Sequence, residues 1–227
     1  MPKYTEELVN SQLRRSELAR RKQAEKGEPC RHPVVTISRR MGSGARVIAA
    51  KLAEDLGWSL WDKDLLDAIA EDADVSRRVV ESFDEKTISE LELFARGALG
   101  DYVSSGFLYP VHLAKAVGAI ARHGNAIILG RGANFLLPKA LNIRIDASDD
   151  VRIHNMMNYE NLTRDEATRR LHESDREREQ FISRVFGRGR VEHSHYDLLI
   201  WMDAFTNDDA VDIIKTALNT WCKHAEE

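Results

Sequence analysis

From residue 33 onward, short apolar runs at 34–38, 59–61, 126–129, 143–147 and 198–202 alternate with stretches of helical periodicity, which restricts the chain to few folds. Each helix returns the chain to the end where the next strand starts, so the strands pair in parallel and helices cover both faces of the sheet. Ile48, Leu52, Ala53 and Leu56 recur at helical spacing before Gly57, and further helices are predicted over 63–71, 76–83 and 111–122. Residues 87–106 are the least regular. The 227 residues suffice for one α/β domain with an insertion or appendage, and not for a second complete domain. Ligands of open parallel sheets bind at the carboxyl ends of the strands.

At the first of those ends stands Arg39-Arg40-Met41-Gly42-Ser43-Gly44-Ala45-Arg46-Val47. Two close glycines let the backbone turn tightly and aim successive N–H groups at an anion, and a helix starting near Ala45 adds its positive dipole end. A loop of the form G-x-x-x-x-G-K-[ST] would have lysine where this chain has Ala45, and a magnesium-binding hydroxyl just beyond, where Arg46 and Val47 stand. The phosphate cradle is present without its usual cation, and the Arg46 guanidinium is the candidate replacement. The same glycines also suit an ordinary tight turn between strand and helix.

Two other strand ends deliver polar features to the same rim. Gly130-Arg131-Gly132 follows the apolar run 126–129 and launches Arg131 into the crevice, with a surface salt bridge as its plainer use. Asp62 and Lys63 follow Trp61, where Asp62 can cap the next helix, orient a ligand, or both. A fourth element, residues 174–187, places Arg176, Arg178 and Arg184 among the apolar anchors Phe181, Ile182, Val185 and Phe186. Arginines on a movable segment neutralise charge in phosphoryl transfer, although Glu–Arg pairs also lace ordinary solvated helices.

Composition removes several function classes. With 33 Lys and Arg against 37 Asp and Glu, the net charge of −4 argues against a general nucleic-acid binder. Cys30 and Cys222 make neither a disulfide framework nor a zinc set, which is in keeping with a reducing, cytoplasmic setting. His193 and His195 flank Ser194 without an evident third ligand, so no metal site is expected. No signal-peptide core and no run of about 20 apolar residues are present, so neither secretion nor membrane insertion is expected. Residues 1–32 read as a charged helix and linker, with Leu8, Val9, Leu13 and Leu18 as a thin apolar stripe. That helix is expected to dock weakly on the domain or to pair two chains as a homodimer. Trp58, Trp61 and Trp201 are expected in the core.

Five blocks in order, 33–39, 42–46, 61–66, 127–134 and 176–187 followed by 195–200, resemble the cytidylate kinase-like family over about residues 33–218. The resemblance implies a three-layer α/β/α P-loop kinase fold with a five-stranded parallel sheet. It also implies an insertion of the monophosphate-binding type at about 62–108 and a helical lid at about 163–190, both within a domain 33–227. It implies an ATP-dependent phosphotransferase acting on a nucleoside monophosphate of the CMP or dCMP kind, or a related small phosphorylated acceptor. Residues Met41, Gly42, Ser43, Gly44, Ala45, Arg46 and Val47 would hold the donor. Asp62, Lys63, Gly130 and Arg131 would meet the acceptor, while Arg176, Arg178 and Arg184 would close over the transferring group.

Two departures bear on turnover. True cytidylate kinases have the loop lysine and hydroxyl, and many have an aspartate where this chain has Leu129. With Val47 unable to bind metal, Mg2+ would be held mainly by the nucleotide phosphates and water, with Ser38 or Ser43 as a possible oxygen. A nucleotide-binding regulatory module without turnover, and an interaction protein on a kinase scaffold, therefore stand as alternatives.

Overall fold

The computed structural model describes residues 3–26, 30, 32–71, 79–80, 83, 85–99, 108–187 and 195–224. Five strands, β1 (Val34–Arg39), β2 (Ser59–Trp61), β3 (Ala126–Leu129), β4 (Leu141–Asp146) and β5 (Leu198–Trp201), form one parallel sheet in the order β2-β3-β1-β4-β5. β1 lies at the centre, with Val34 opposite Ala126 on one side and Val35 opposite Leu141 on the other. Its apolar run, buried from Val34 through Ile37, is what a central parallel strand requires.

The helices are α1 (Lys3–Lys26), α2 (Ala45–Leu56), α3 (Lys63–Glu71), α4 (Glu85–Leu99), α5 (Leu108–His123), the short α6 (Ala133–Leu136), α7 (Asp149–Glu160), α8 (Arg164–Phe186) and α9 (Asn207–His224). On one face Ile48 and Leu52 of α2 and Ile214 of α9 pack on Val35, Ile37, Ile143 and Ile145. On the other, Leu66 and Ile69 of α3, Leu91 and Ala95 of α4, and Leu113, Val117 and Ile120 of α5 gather around Trp61 and Ile128. These three layers match the expected α/β/α arrangement. α8 starts at a reciprocal cap in which Thr163 and Glu166 satisfy each other's backbone amides. At 23 residues it is about 34 Å long.

Three expectations need correction. The stretch expected to be least regular, 87–106, is helical through Leu99, because Leu91, Ala95 and Leu99 recur every fourth residue and are buried against α5. Trp201 is 45% exposed: β5 is an edge strand, and Leu199 and Trp201 alternate with buried Ile200. Cys30 and Cys222, expected to be unpaired, form a disulfide with their Cα atoms 5.1 Å apart, because the chain after α1 returns beside the end of α9. Of the two expectations for α1, docking on its own domain is the one the structure shows. Gln12 Oε1 accepts from the Leu60 amide of edge strand β2 at 2.8 Å, the Ser16 and Ser59 hydroxyls lie 2.7 Å apart, and Val9 is buried. The helix predicted over 76–83 falls largely outside the described residues. Among those described, no helix is long and apolar enough to cross a membrane.

Candidate active site

β1 ends in a turn whose carbonyls are held from below. Arg152 Nε donates to the Met41 carbonyl at 2.7 Å, Asn155 Nδ2 to that of Gly42 at 2.8 Å, and Ser43 Oγ to that of Arg40 at 2.9 Å. Gly42 has φ +78°, and a Cβ there would lie 2.5 Å from the Arg152 carbonyl oxygen, so the loop can rest on α7 only because this residue is glycine. The amides of Ala45 and Arg46 open α2 and have no carbonyl in a preceding turn to bond. With its carbonyls tied down, the turn leaves first-turn amides unclaimed at the positive end of the α2 dipole.

Beside the start of this loop lies a cavity of about 360 Å3, bounded by Ser38, Arg39 and Arg40, the turn Gly130-Arg131-Gly132, Lys63, Arg144, Tyr196 and the inner side of α8. Its arginines differ in how fully they are neutralised. Arg40 Nε lies 2.9 and 3.0 Å from the Asp146 carboxylate, which also takes Arg144 Nη2 at 3.0 Å. The Arg131 guanidinium holds Asp67 through Nε and Nη2, and its Cζ sits 4.5 Å over the Phe181 ring. Asp67 accepts as well from the Tyr109 hydroxyl at 2.5 Å, and burial with this donation raises the Tyr109 pKa and keeps the hydroxyl protonated. Arg131 itself has φ +52°, a left-handed conformation uncommon for a residue with a Cβ, and the two flanking glycines permit that turn.

Arg178 and Arg39 are the poorly compensated pair. Arg178 reaches Asp175 only at 3.6 Å and has a buried Nη1 with no hydrogen-bond partner, and burial lowers its pKa. Arg39 forms no ion pair among the described residues, and the one hydrogen bond of its side chain among them is a 3.4 Å contact from Nη1 to the Leu129 carbonyl. Burial first, then the neighbouring Arg178 and Arg131 charges, lower its pKa to about 10. Its Nη1 occupies the space a Cβ on Gly130 would take, so a side chain there would push the guanidinium aside.

The expected site residues divide into groups. Arg131, Gly130, Lys63 and Arg178 line the cavity, and Met41 to Val47 form the loop and the first turn of α2. The Arg46 side chain is 77% exposed and turns to Asp62 Oδ2 at 3.5 Å, at the edge of a separate groove of about 680 Å3 under α1. Of the two uses foreseen for Asp62, the cap is seen: its Oδ1 accepts from the Leu65 amide at the start of α3. Arg176 and Arg184 are exposed and do not border the cavity. His193 and Ser194 lie outside the described residues, the His195 ring packs against Phe135, and no group of three His, Cys, Asp or Glu suited to a metal ion occurs among those described.

Arg39, Arg40, Arg144, Asp67, Tyr109, Arg152 and Asp175 were not foreseen. One sequence signal points to Arg39: counting back from Gly44 in G-x-x-x-x-G-K, the first glycine position falls on it.

The family model for the cytidylate kinase-like family matches residues 34–204, which takes in the loop, the Gly130-Arg131-Gly132 turn and α8. The chain belongs to this family. As a cytidylate kinase-like protein it is of the nucleotide-binding, kinase-like class with the P-loop kinase fold. An uncharacterized protein from Eubacterium ventriosum, known from its crystal structure, is 24% identical with a TM-score of 0.65, over 84% of this chain and 99% of that one, and so shares its fold. TT1252 from Thermus thermophilus is 18% identical with a TM-score of 0.41 over 83% of this chain and 99% of its own. The shikimate kinase from Bacteroides thetaiotaomicron is 15% identical with a TM-score of 0.44 over 82% and 98%. No curated protein matches the sequence.

Proposed function

We propose that this cytidylate kinase-like protein transfers the γ-phosphoryl group of ATP to a small phosphorylated acceptor, with nucleoside monophosphates of the CMP or dCMP kind as first candidates. The observation that supports this best is Arg131, fixed by Asp67 and Phe181 on the floor of an arginine-lined cavity beside a glycine loop of the phosphate-binding type. A planar guanidinium grips phosphate oxygens through two parallel hydrogen bonds, and the Asp67 pairing holds that plane in place before the ligand arrives. Phosphoryl transfer asks the protein for alignment and charge neutralisation, and a cavity of this kind offers both.

Mg2+ would supply charge neutralisation at the donor phosphates. The residues here suit a metal that arrives with ATP: Val47 has no oxygen, and the Ser43 hydroxyl, whose proton goes to the Arg40 carbonyl, keeps lone pairs. An ATP donor is in keeping with a cytoplasmic setting, although the Cys30–Cys222 disulfide removes the argument for a reducing compartment that two unpaired cysteines offered. A homodimer through α1 would use its outer side, where Tyr4 and Leu18 are exposed, because Val9 and Ser16 face the chain's own core.

ADP release from ATP and Mg2+ with CMP, dCMP, UMP, AMP or GMP, measured beside Arg131→Ala, tests this function. Turnover with one acceptor that disappears in the variant is the expected result. ATP binding without turnover for any acceptor would favour the regulatory module that Ala45 suggests, and a melting temperature indifferent to nucleotides would favour the scaffold.

A further inference from the structure

The loop has a cradle but no lysine, and the expected substitute, Arg46, is exposed and drawn toward Asp62. The cations that line the cavity are mostly occupied. Arg40 and Arg144 are held by Asp146, and Arg131 by Asp67. Arg39, Arg178 and Lys63 are the exceptions, and of these Arg39 alone stands on the strand that leads into the loop. It lies at the end of the central strand, three residues before Gly42, borders the cavity, has no carboxylate partner among the described residues, and is seated over Gly130. A half-buried cation without a counterion is costly to keep, so a fold retains one where an anion completes the site.

We propose that Arg39, and not a residue of the α2 turn, supplies the charge for the donor β- and γ-phosphates that the missing lysine would supply, with the Arg178 guanidinium opposite it from α8. The assignment rests on the ATP-dependent function proposed above and names the residue that replaces the motif's cation. In the transfer, an acceptor phosphate oxygen bonds to the γ-phosphorus as the bond from that phosphorus to the β–γ bridging oxygen breaks. The electron pair stays on ADP, and no proton is required because the attacking oxygen is already ionised. Negative charge moves onto the bridging and β-phosphate oxygens, and a guanidinium at the strand end meets it there with two donors. An arginine at the first glycine position of the motif approaches the phosphates from the strand side, whereas the usual lysine approaches from the helix side. The strain-free space for it exists because residue 130 has no Cβ.

Binding constants for ATP, ADP and AMP in the presence of Mg2+, measured by calorimetry on the full chain and on Arg39→Gln, Arg39→Lys and Arg46→Gln, test the assignment. Arg39→Gln should weaken ATP by about 10- to 100-fold, the range for a lost charge-assisted contact, and leave AMP within about 2-fold. Arg39→Lys should recover part of the loss, which a merely structural role would not. ATP binding that Arg39→Gln leaves within about 2-fold, or an equal loss for AMP, overturns the assignment, as does a phosphate-dependent loss confined to Arg46→Gln. If the parent protein binds no ATP, the functional proposal falls and the assignment with it, so the two failures are distinct.

Discussion

Arg152 and Asp175 join the glycine loop at 42–44 to α8. The Arg152 side chain is wholly buried, its Nη2 lies 2.6 and 2.8 Å from the two Asp175 oxygens, and its Nε holds the Met41 carbonyl. Asp175 also stands 3.8 Å from Arg40 and 3.6 Å from Arg178. A shift of α8 therefore changes, through one carboxylate, both the backing of the loop and the freedom of two cavity arginines.

Breaking that link from one side should be expensive. Arg152→Met leaves Asp175 and a loop carbonyl without their donor, and urea unfolding should show a loss of about 3–5 kcal/mol. Arg152→Met combined with Asp175→Leu should lose less than the two single variants added together. Strict additivity would mean that the two groups do not act as a unit.

Arg131→Ala should abolish acceptor turnover and leave the ATP dissociation constant within about 2-fold. Asp67→Asn removes the charge and turns one of the two accepting oxygens into a donor that faces the guanidinium, so the plane of Arg131 is no longer held and the effect should fall on the acceptor KM more than on kcat. Steady-state kinetics with the active acceptor separates these outcomes.

Arg39 should trade stability for function. Its folded pKa, about 10, lies below the ordinary arginine value. Between those values the unfolded chain holds a proton that the folded chain lacks, so stability rises with pH across that window, and below about pH 10 the full penalty persists. At pH 7 Arg39→Met removes the penalty. The melting temperature of the nucleotide-free protein should rise by a few degrees while ATP binding weakens.

Opening the Cys30–Cys222 bond, which spans a sequence separation of 192, should lower stability by about 2–5 kcal/mol. Cys222→Ser should show the same loss in urea, with no further change when reductant is added. An equal response to reductant in parent and variant would mean the bond contributes nothing to the folded state.

Features set by local backbone chemistry were legible in the sequence. The glycine turn at 42–44 and Gly130-Arg131-Gly132 announce themselves because only such residues make those turns after a strand, and the alternation of elements fixed the parallel sheet. Destinations of charged side chains were not. An arginine reads the same whether it faces solvent, as Arg176 does, or a cavity, as Arg178 does two residues later. Arg152 sits in a stretch, Asp149-Asp150-Val151-Arg152, that reads as a polar helix start, and only α8 folding over it buries the guanidinium. The disulfide depended on two distant segments meeting, and α4 was obscured because Ala95 and Gly97 dilute its apolar spacing.

The sulfur bridge also gives the molecule a mechanical character. Cys30 and Cys222 close residues 30–222 into a ring and leave α1 in a tail outside it. A pull on the two ends runs through the two sulfur atoms, and the sheet between them bears no load. α1 lies in the tail, so it peels away first, uncovering the edge of β2 while the glycine loop at 42–44 stays inside the ring. A machine that threads proteins from one end, such as an unfolding ATPase, would then meet a loop and have to draw two strands at once or wait for reduction.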